Sequence, residues 1–245
     1  MLTELFLIFI ILFIGSFIQG VSGFGFGIIA MSFLPFIFTI KESTLLVVSL
    51  ALITALSIVA QMYKHIQWKK IRILLVAALT GRLCGFFVLD RFGEMDFLKN
   101  LLGIFLIGVV IYLFTSKAPK DTKVTNETWL PVVLGFFGGL VGGVFAVGGP
   151  FFVFFMMLIF SKDKYAYSAN LQATFVLTSL FTIGSHALNG DFTGNFLVYF
   201  FVGVVTVIIG SRIGIYCFTF VSQEDVKKIA AVFVAVAAVN LILFA

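Results

Sequence analysis

The sequence contains very little charge. Only 11% of its 245 residues are Asp, Glu, Lys or Arg, whereas soluble domains carry roughly 25%. Hydrophobic residues make up 61% of the chain, and charge-free runs longer than about 18 residues recur along it, which is the pattern of membrane-spanning helices. A water-soluble globular protein is therefore excluded, and we expect an all-α polytopic membrane protein.

The sequence also lacks the residues and motifs of most enzymes and metal sites. Its two cysteines, Cys84 and Cys217, both lie in apolar segments, so a zinc site or a disulfide framework is not predicted. It has no nucleophile elbow, zinc-protease motif, phosphate loop or dinucleotide fingerprint. We therefore expect no enzymatic activity and no cofactor or metal. The net charge of +5 lies mainly in short loops between apolar segments, which indicates membrane orientation rather than nucleic-acid binding.

Charged residues divide the chain into eight apolar blocks. The blocks cover residues 5–40, 43–63, 71–89, 97–115, 129–160, 166–188, 196–221 and 226–244. Residues 116–128 form the only long polar stretch and are interpreted as a cytoplasmic linker. The sequence thus predicts a first membrane repeat over residues 1–115 and a second over residues 129–245.

The two halves resemble each other, which indicates an internal duplication. Residues 16–27 (SFIQGVSGFGFG) align with residues 139–150 (GLVGGVFAVGGP). The segment GRLCG at residues 81–85 aligns with GSRIG at residues 210–214. A third match, in the acidic–basic turn before the last block of each half, has the same order along the chain.

The first block of each half is too long for a single crossing. From Leu5 to Ile40 there are 36 residues without a charge, which as one straight helix would reach over about 50 Å, against about 30 Å of hydrocarbon. Because glycines lie near the middle, each block is predicted to be a Gly-broken helix or a helical hairpin. A tilted long helix that leaves the bilayer is the alternative, and the depth of the hairpin arms is left open.

The basic residues favour the hairpins. If all eight blocks simply cross, and Arg82 and Arg212 within the blocks are left out, the two faces receive seven Lys and Arg residues each. With two hairpins the split becomes 11 to 3, which obeys the positive-inside rule. The halves would then be two inverted repeats in the cell (plasma or inner) membrane, with both termini outside. Inverted repeats with broken helices recur in secondary transporters.

The glycine clusters supply the first candidate binding groups. A helix broken at these glycines exposes backbone N–H groups and a positive helix N-terminus, and two such ends that face each other form an anion site. The candidate residues are Gly20, Gly23, Gly25 and Gly27 in the first half and Gly143, Gly148 and Gly149 in the second, together with Gln19 and Ser22. Close helix packing through small residues is the alternative interpretation.

Two arginines and one histidine lie inside apolar blocks. Arg82 and Arg212 occupy the repeat-matched GRLCG and GSRIG segments, where a charge is costly and usually faces the bundle interior. A guanidinium can hold a sulfonate or carboxylate with two hydrogen bonds, or it can snorkel to the interface. His186 is a candidate for proton coupling or for a structural hydrogen bond between helices.

Other polar residues add little that is specific. No Asp or Glu lies in the middle of an apolar block, so the sequence predicts neither a carboxylate relay nor a sodium site built on Asp. Further polar candidates for lining a pathway are Ser168, Asn170, Gln172, Thr174 and Ser185.

The stretch GVSGFGFGIIAM at residues 20–31, with its counterpart GLVGGVFAVGGP and the GRLCG and GSRIG segments, resembles the TauE/SafE family of sulfite-exporter-like membrane transporters. The resemblance covers essentially the whole chain. Ser32 stands where the family often has a proline, and Ala146 and Pro150 stand where glycines are usual. The resemblance implies movement of small sulfur-containing anions, such as sulfite or organosulfonates, across the plasma membrane.

Residues and resemblance together predict a secondary transporter of small anions, which works by alternating access with its substrate between the two hairpin tips. The alternatives are an anion channel, a transporter of another small organic anion such as a carboxylate, a sensor or structural subunit, and an intramembrane enzyme. The expected partners are the small anionic substrate and the lipid bilayer. A homodimer is left open, and nucleic acid is not expected.

Overall fold

A computed structural model describes residues 2–115, 129–192 and 194–217, and in the C-terminal segment residues 232, 234–239, 242 and 243. The predicted linker at residues 116–128 lies outside the described residues. Within them the chain forms helices and turns and contains no strand. The prediction of an all-α protein is therefore confirmed.

The described residues up to Cys217 form nine α-helices. These are α1 (Leu2–Ser22), α2 (Phe26–Phe33), α3 (Ile40–Met62), α4 (Trp68–Phe92), α5 (Phe97–Thr115), α6 (Trp129–Phe145), α7 (Gly149–Ile159), α8 (Lys164–Leu188) and α9 (Gly194–Cys217). Short 3-10 turns, Leu34–Phe36 and Tyr63–His65, follow α2 and α3. Helices α3, α4, α8 and α9 are long and apolar enough to cross a membrane.

The outer surface of this bundle is apolar. Large hydrophobic side chains on several helices are more than half exposed, among them Val76, Ile104, Phe201 and Val205. A soluble monomer rarely exposes apolar surface so widely, whereas a bilayer favours it. The chain is therefore a membrane protein with several candidate spans.

The first long block is broken between α1 and α2, as predicted. Gly23 and Gly25 have φ values of 82° and 114°, a conformation that residues with a Cβ rarely adopt. The chain then folds back, so that α2 packs on α1. The contact is close, since a Cβ on Gly15 in α1 would lie only 3.1 Å from the ring of Phe26 in α2. Gly20 and Gly27 lie inside the flanking helices, so the break is narrower than the glycine cluster.

The second long block is broken between α6 and α7. Ala146 adopts a positive φ of 55°, and Pro150 occupies the first turn of α7, where its missing N–H is not needed. The returning arms α2 and α7 have 8 and 11 residues, or about 12 and 16 Å at 1.5 Å per residue. Each of these arms alone is too short to cross about 30 Å of hydrocarbon.

The glycine segments that match between the halves make equivalent contacts. A Cβ on Gly85 in α4 would lie 2.9 Å from the Cα of Gly143 in α6. A Cβ on Gly214 in α9 would lie 2.9 Å from the Cα of Gly20 in α1. Each hairpin is therefore held by a helix of the other half, through the pair of glycines that the alignment of the halves makes equivalent.

The two ends of α3 identify the two ends of the bundle. At its start, Lys41 forms an ion pair with Asp191, at 2.8 Å. After its last residue, Lys64 and His65 form a turn, and the His65 ring stacks on Tyr165 at the start of α8. These are named the Lys41 end and the Lys64 end below.

Substitution of Gly81 by alanine tests the close packing of α4 on α6. The new Cβ would lie 2.0 Å from the carbonyl oxygen of Phe136, so the helices must separate, and overpacking of this kind typically costs about 1–3 kcal/mol. We expect a melting temperature several degrees lower, measured by thermal unfolding of the purified protein in detergent.

The matched control is Gly108→Ala in α5, where nothing lies within 4 Å of the added Cβ. Its melting temperature should stay the same or rise slightly, because alanine is the better helix former. Equal melting temperatures for the two variants would contradict the packing described for Gly81.

Candidate functional site

A small cavity lies where the two hairpin tips meet. The first tip contributes Gln19, Gly25 and Gly27, and the second contributes Ala146, Gly148 and Gly149. Side chains from three further helices complete the lining, among them Val48 of α3, Arg82 of α4, and Phe175 and Ser179 of α8. The centre of a water-sized molecule can occupy about 30 Å³, which is room for about two waters. This space is called the tip cavity.

Glycine at the tips allows one backbone to approach the other. A Cβ on Gly27 would lie 2.2 Å from the carbonyl oxygen of Ala146 in the opposite tip. Helix α2 begins at Phe26 and α7 at Gly149, so both helices begin at the cavity. Their N-terminal ends carry partial positive charge. The predicted meeting of two helix N-termini is thus present in the structure.

Two buried glutamines attach the first tip to α8. The Gln172 amide donates to the carbonyl oxygen of Gly23 at 2.6 Å and accepts a hydrogen bond from Gln19 at 3.2 Å. The hydroxyl of Ser22 donates to the carbonyl oxygen of Ile18 at 2.8 Å, and both residues belong to α1. Ser22 therefore stabilises the end of α1 by a hydrogen bond within that helix, and Gln172 holds the first tip against α8.

The second tip is attached to α3. The hydroxyl of Thr44 donates to the carbonyl oxygen of Val144 at 2.8 Å, close to the end of α6. Both residues are buried. The two tips are thus held by side chains of the two central helices, α3 and α8.

Arg82 is the cationic side chain that lines the tip cavity. Its side chain is buried, with 5% of the residue exposed, and Nη1 donates to the carbonyl oxygen of Gly142 at 2.6 Å and to Thr182 at 3.1 Å. Nε is buried without a hydrogen-bond partner among the described residues, and no carboxylate of the described part pairs with Arg82. A buried charge without a counter-ion is costly, and an anion in the cavity would provide one.

Several other predicted site residues lie away from the cavity lining. Gly20 and Gly143 occupy the helix contacts α1–α9 and α6–α4. Ser22 and Gly23 form the back of the first tip, towards α8. Arg212 is exposed on α9, and in the aligned segments it matches the exposed Leu83, whereas Arg82 matches the buried Ser211.

Sequence reasoning missed Ser179 and Thr182, although a signal for Thr182 was available. Polar residues recur every four positions on α8, and all of them are buried. They are Asn170, Thr174, Thr178, Thr182 and His186. A spacing of four keeps them on one helix face, which predicts a buried polar stripe along the whole span.

His186, the last residue of that stripe, belongs to a polar network at the Lys41 end. It is fully buried, and its Nδ1 lies 2.6 Å from Asp191 Oδ2. Asp191 also pairs with Lys41, and Asn189 donates to both Asp191 and Asp90, at 3.0 and 2.8 Å. Lys41 lies 3.4 Å from Asp90. These five residues are called the Lys41 cluster.

Asp191 is the charged acceptor at the centre of the cluster. Burial acts to raise the pKa of its carboxyl, but hydrogen bonds from Lys41, His186 and Asn189 outweigh that effect and hold the pKa below its ordinary value. Asp191 is therefore a carboxylate at neutral pH. No sequence motif connects these residues, because Lys41 and Asp191 are far apart along the chain.

Comparison with known proteins identifies the family of this chain. The chain is similar to a protein of Cupriavidus necator named probable sulfite/organosulfonate exporter TauE, with 29% identity over 144 residues. The aligned part covers 57% of this chain and 56% of that relative, so it spans little more than half of the relative's length. No solved structure gives a significant match. The family described as Sulfite exporter TauE/SafE matches residues 7–241, and the chain belongs to this family.

Proposed function

We propose that the chain is a secondary transporter of small anions, and that its substrates are sulfite or organosulfonates. The observation that carries the proposal is Arg82, which is buried at the tip cavity without a carboxylate partner among the described residues. Family membership and the name of the relative support the choice of sulfur-containing anions.

The groups around the tip cavity suit a small oxyanion. The Nε–H of Arg82 is a donor that lacks a partner among the described residues, and charge-assisted hydrogen bonds to an anionic oxygen are stronger than neutral ones. The N-terminal ends of α2 and α7 add partial positive charge from two sides. The glycines at both tips leave the backbone accessible, so the proposed ligand is held by backbone N–H groups together with one guanidinium.

The proposed mechanism is alternating access between two inverted repeats. The exchanged contacts, α1 on α9 and α6 on α4, support a two-fold relation between the halves. A rocking movement of one repeat against the other would expose the tip cavity first at one end of the bundle and then at the other. In this proposal the Lys64 end faces the cytoplasm of a cell with the protein in its plasma or inner membrane, and both termini lie outside.

Replacement of Arg82 by glutamine tests the anion site. Hydrogen bonds to charged groups are worth about 1.5–3 kcal/mol, so the initial rate of sulfite uptake into proteoliposomes should fall by about tenfold or more at subsaturating sulfite. The assay is counterflow, in which internal unlabelled sulfite accelerates entry of labelled sulfite.

Arg212→Gln is the matched control, because Arg212 is exposed and lies outside the cavity lining. It should retain wild-type counterflow. Wild-type uptake by the Arg82 variant would contradict the proposed site. Flux that does not saturate and that internal sulfite does not accelerate would instead indicate an anion channel.

Single cysteines test the inverted arrangement in a background with Cys84 and Cys217 replaced by serine. Glu94→Cys lies at the Lys41 end and Ser161→Cys at the Lys64 end, and both positions are exposed. A membrane-impermeant maleimide added to intact cells should label position 94, and position 161 should react only after the cells are permeabilised. Labelling of both positions from the same face would contradict the proposed topology, since eight simple crossings place them together.

A further inference from the structure

Helices α4 and α8 bring the anion site next to the histidine. Arg82 of α4 donates to Thr182 of α8 at 3.1 Å. One turn further along both helices, the ring of Phe86 packs against the imidazole of His186, with ring centroids 4.7 Å apart. Because one helical turn rises about 5.4 Å, the imidazole lies about one turn from the arginine's contact.

The imidazole of His186 has one nitrogen held and one nitrogen without a partner. Nδ1 lies 2.6 Å from the Asp191 carboxylate, which fixes Nδ1–H as the donor in both protonation states. Nε2 is buried and has no hydrogen-bond partner among the described residues. Nε2 is therefore the atom that gains or loses a proton.

The charged groups around a neutral His186 carry a net negative charge. Lys41 faces it from α3, Asp90 from α4 and Asp191 from the turn after α8. Two carboxylates and one ammonium leave this set with a charge of −1 while His186 is neutral. A proton on Nε2 would neutralise the set, whereas the positive charge of Arg82, about one turn away, opposes that proton.

A second cavity connects this set with the surface. It lies at the Lys41 end and is lined by Glu42 of α3, Asp191, and Phe196 and Tyr199 of α9, among others. Glu42 is exposed, whereas the Asp191 side chain is only 7% exposed. The cavity thus leads from solvent to the carboxylate that holds His186, and its acidic lining attracts protons and repels anions.

From this geometry we propose that His186, held by Asp191, binds a proton that is transported together with the anion bound at Arg82. The inference rests on the proposed function. An anion at Arg82 cancels the positive charge that opposes protonation of His186, so each ligand raises the affinity for the other by the same factor. The proton binds at Nε2 and leaves it after the site reorients, and no other bond is made or broken.

The first test measures protonation of His186 directly. In the His65→Gln variant of this chain, labelled with [15N]histidine and purified without a histidine tag, His186 is the single histidine. Its imidazole 15N shifts are followed from about pH 5 to 8, where they report whether Nε2 carries a proton. Saturating isethionate, a sulfonate whose charge is constant over this range, should raise the midpoint by about one pH unit, which is a tenfold coupling. Sulfite replaces isethionate if counterflow shows that isethionate is not carried.

The second test measures coupling in proteoliposomes. The control is His65→Gln, which changes the histidine at the Lys64 end. In this control and in the wild type, a pH gradient should raise the internal concentration of the labelled anion, isethionate or sulfite, several-fold above the level reached without a gradient. In His186→Gln the ratio of gradient-driven uptake to counterflow should fall to the value without a gradient. Asp191→Asn serves as the second variant if His186→Gln does not fold, and we expect the same loss of gradient response.

The outcomes separate the two proposals. A wild-type protein that performs counterflow but ignores the pH gradient would overturn the proton site and leave the anion transporter intact. An imidazole that keeps one protonation state from pH 5 to 8, a midpoint that the anion does not move, or gradient-driven uptake that persists in His186→Gln would also overturn it. Absence of counterflow with every anion would overturn the proposed function itself.

Discussion

Contact between backbone and backbone, made where glycine leaves out the side chain, is the constraint on which this structure depends. It recurs between the hairpin tips, where Gly27 meets Ala146, and along both hairpins, where Gly20 meets Gly214 and Gly143 meets Gly85. Apolar side chains gain little by associating within lipid, so helices associate there through close packing. These contacts bring two helix N-termini to one small cavity near the middle of the bundle.

The electrostatic features of the bundle follow from that packing. Gly142 lies so close to the guanidinium of Arg82 that a Cβ there would be 2.8 Å from Nη2, and its carbonyl oxygen accepts from Nη1. The hairpin thus fixes the arginine at the cavity. On the facing helix the polar stripe of α8 extends from that arginine to His186, so a site with excess positive charge and a cluster with excess negative charge share one helix pair.

Much of the fold, but less of the site, could be predicted from the sequence. Block length against bilayer thickness, the glycines and the uneven Lys and Arg distribution together predicted two hairpins, because all three report on the chain locally. The different environments of Arg82 and Arg212 could have been predicted, because the aligned segments match Arg82 with Ser211 and Arg212 with Leu83. One residue along a helix turns the side chain by about 100°, so the two arginines face different directions. The pairing of Lys41 with Asp191 could not be predicted, because a contact between residues so distant in the chain leaves no pattern in composition or spacing.

The packing of each hairpin on a helix of the other half also has a consequence for biosynthesis. Gly20 emerges from the ribosome long before Gly214, the residue on which it packs. At about 5–20 residues per second, the interval of nearly two hundred residues lasts roughly 10–40 seconds. During that time the glycine face of α1 is uncovered in the nascent protein, so the first half cannot complete its packing until α9 has been synthesised and inserted.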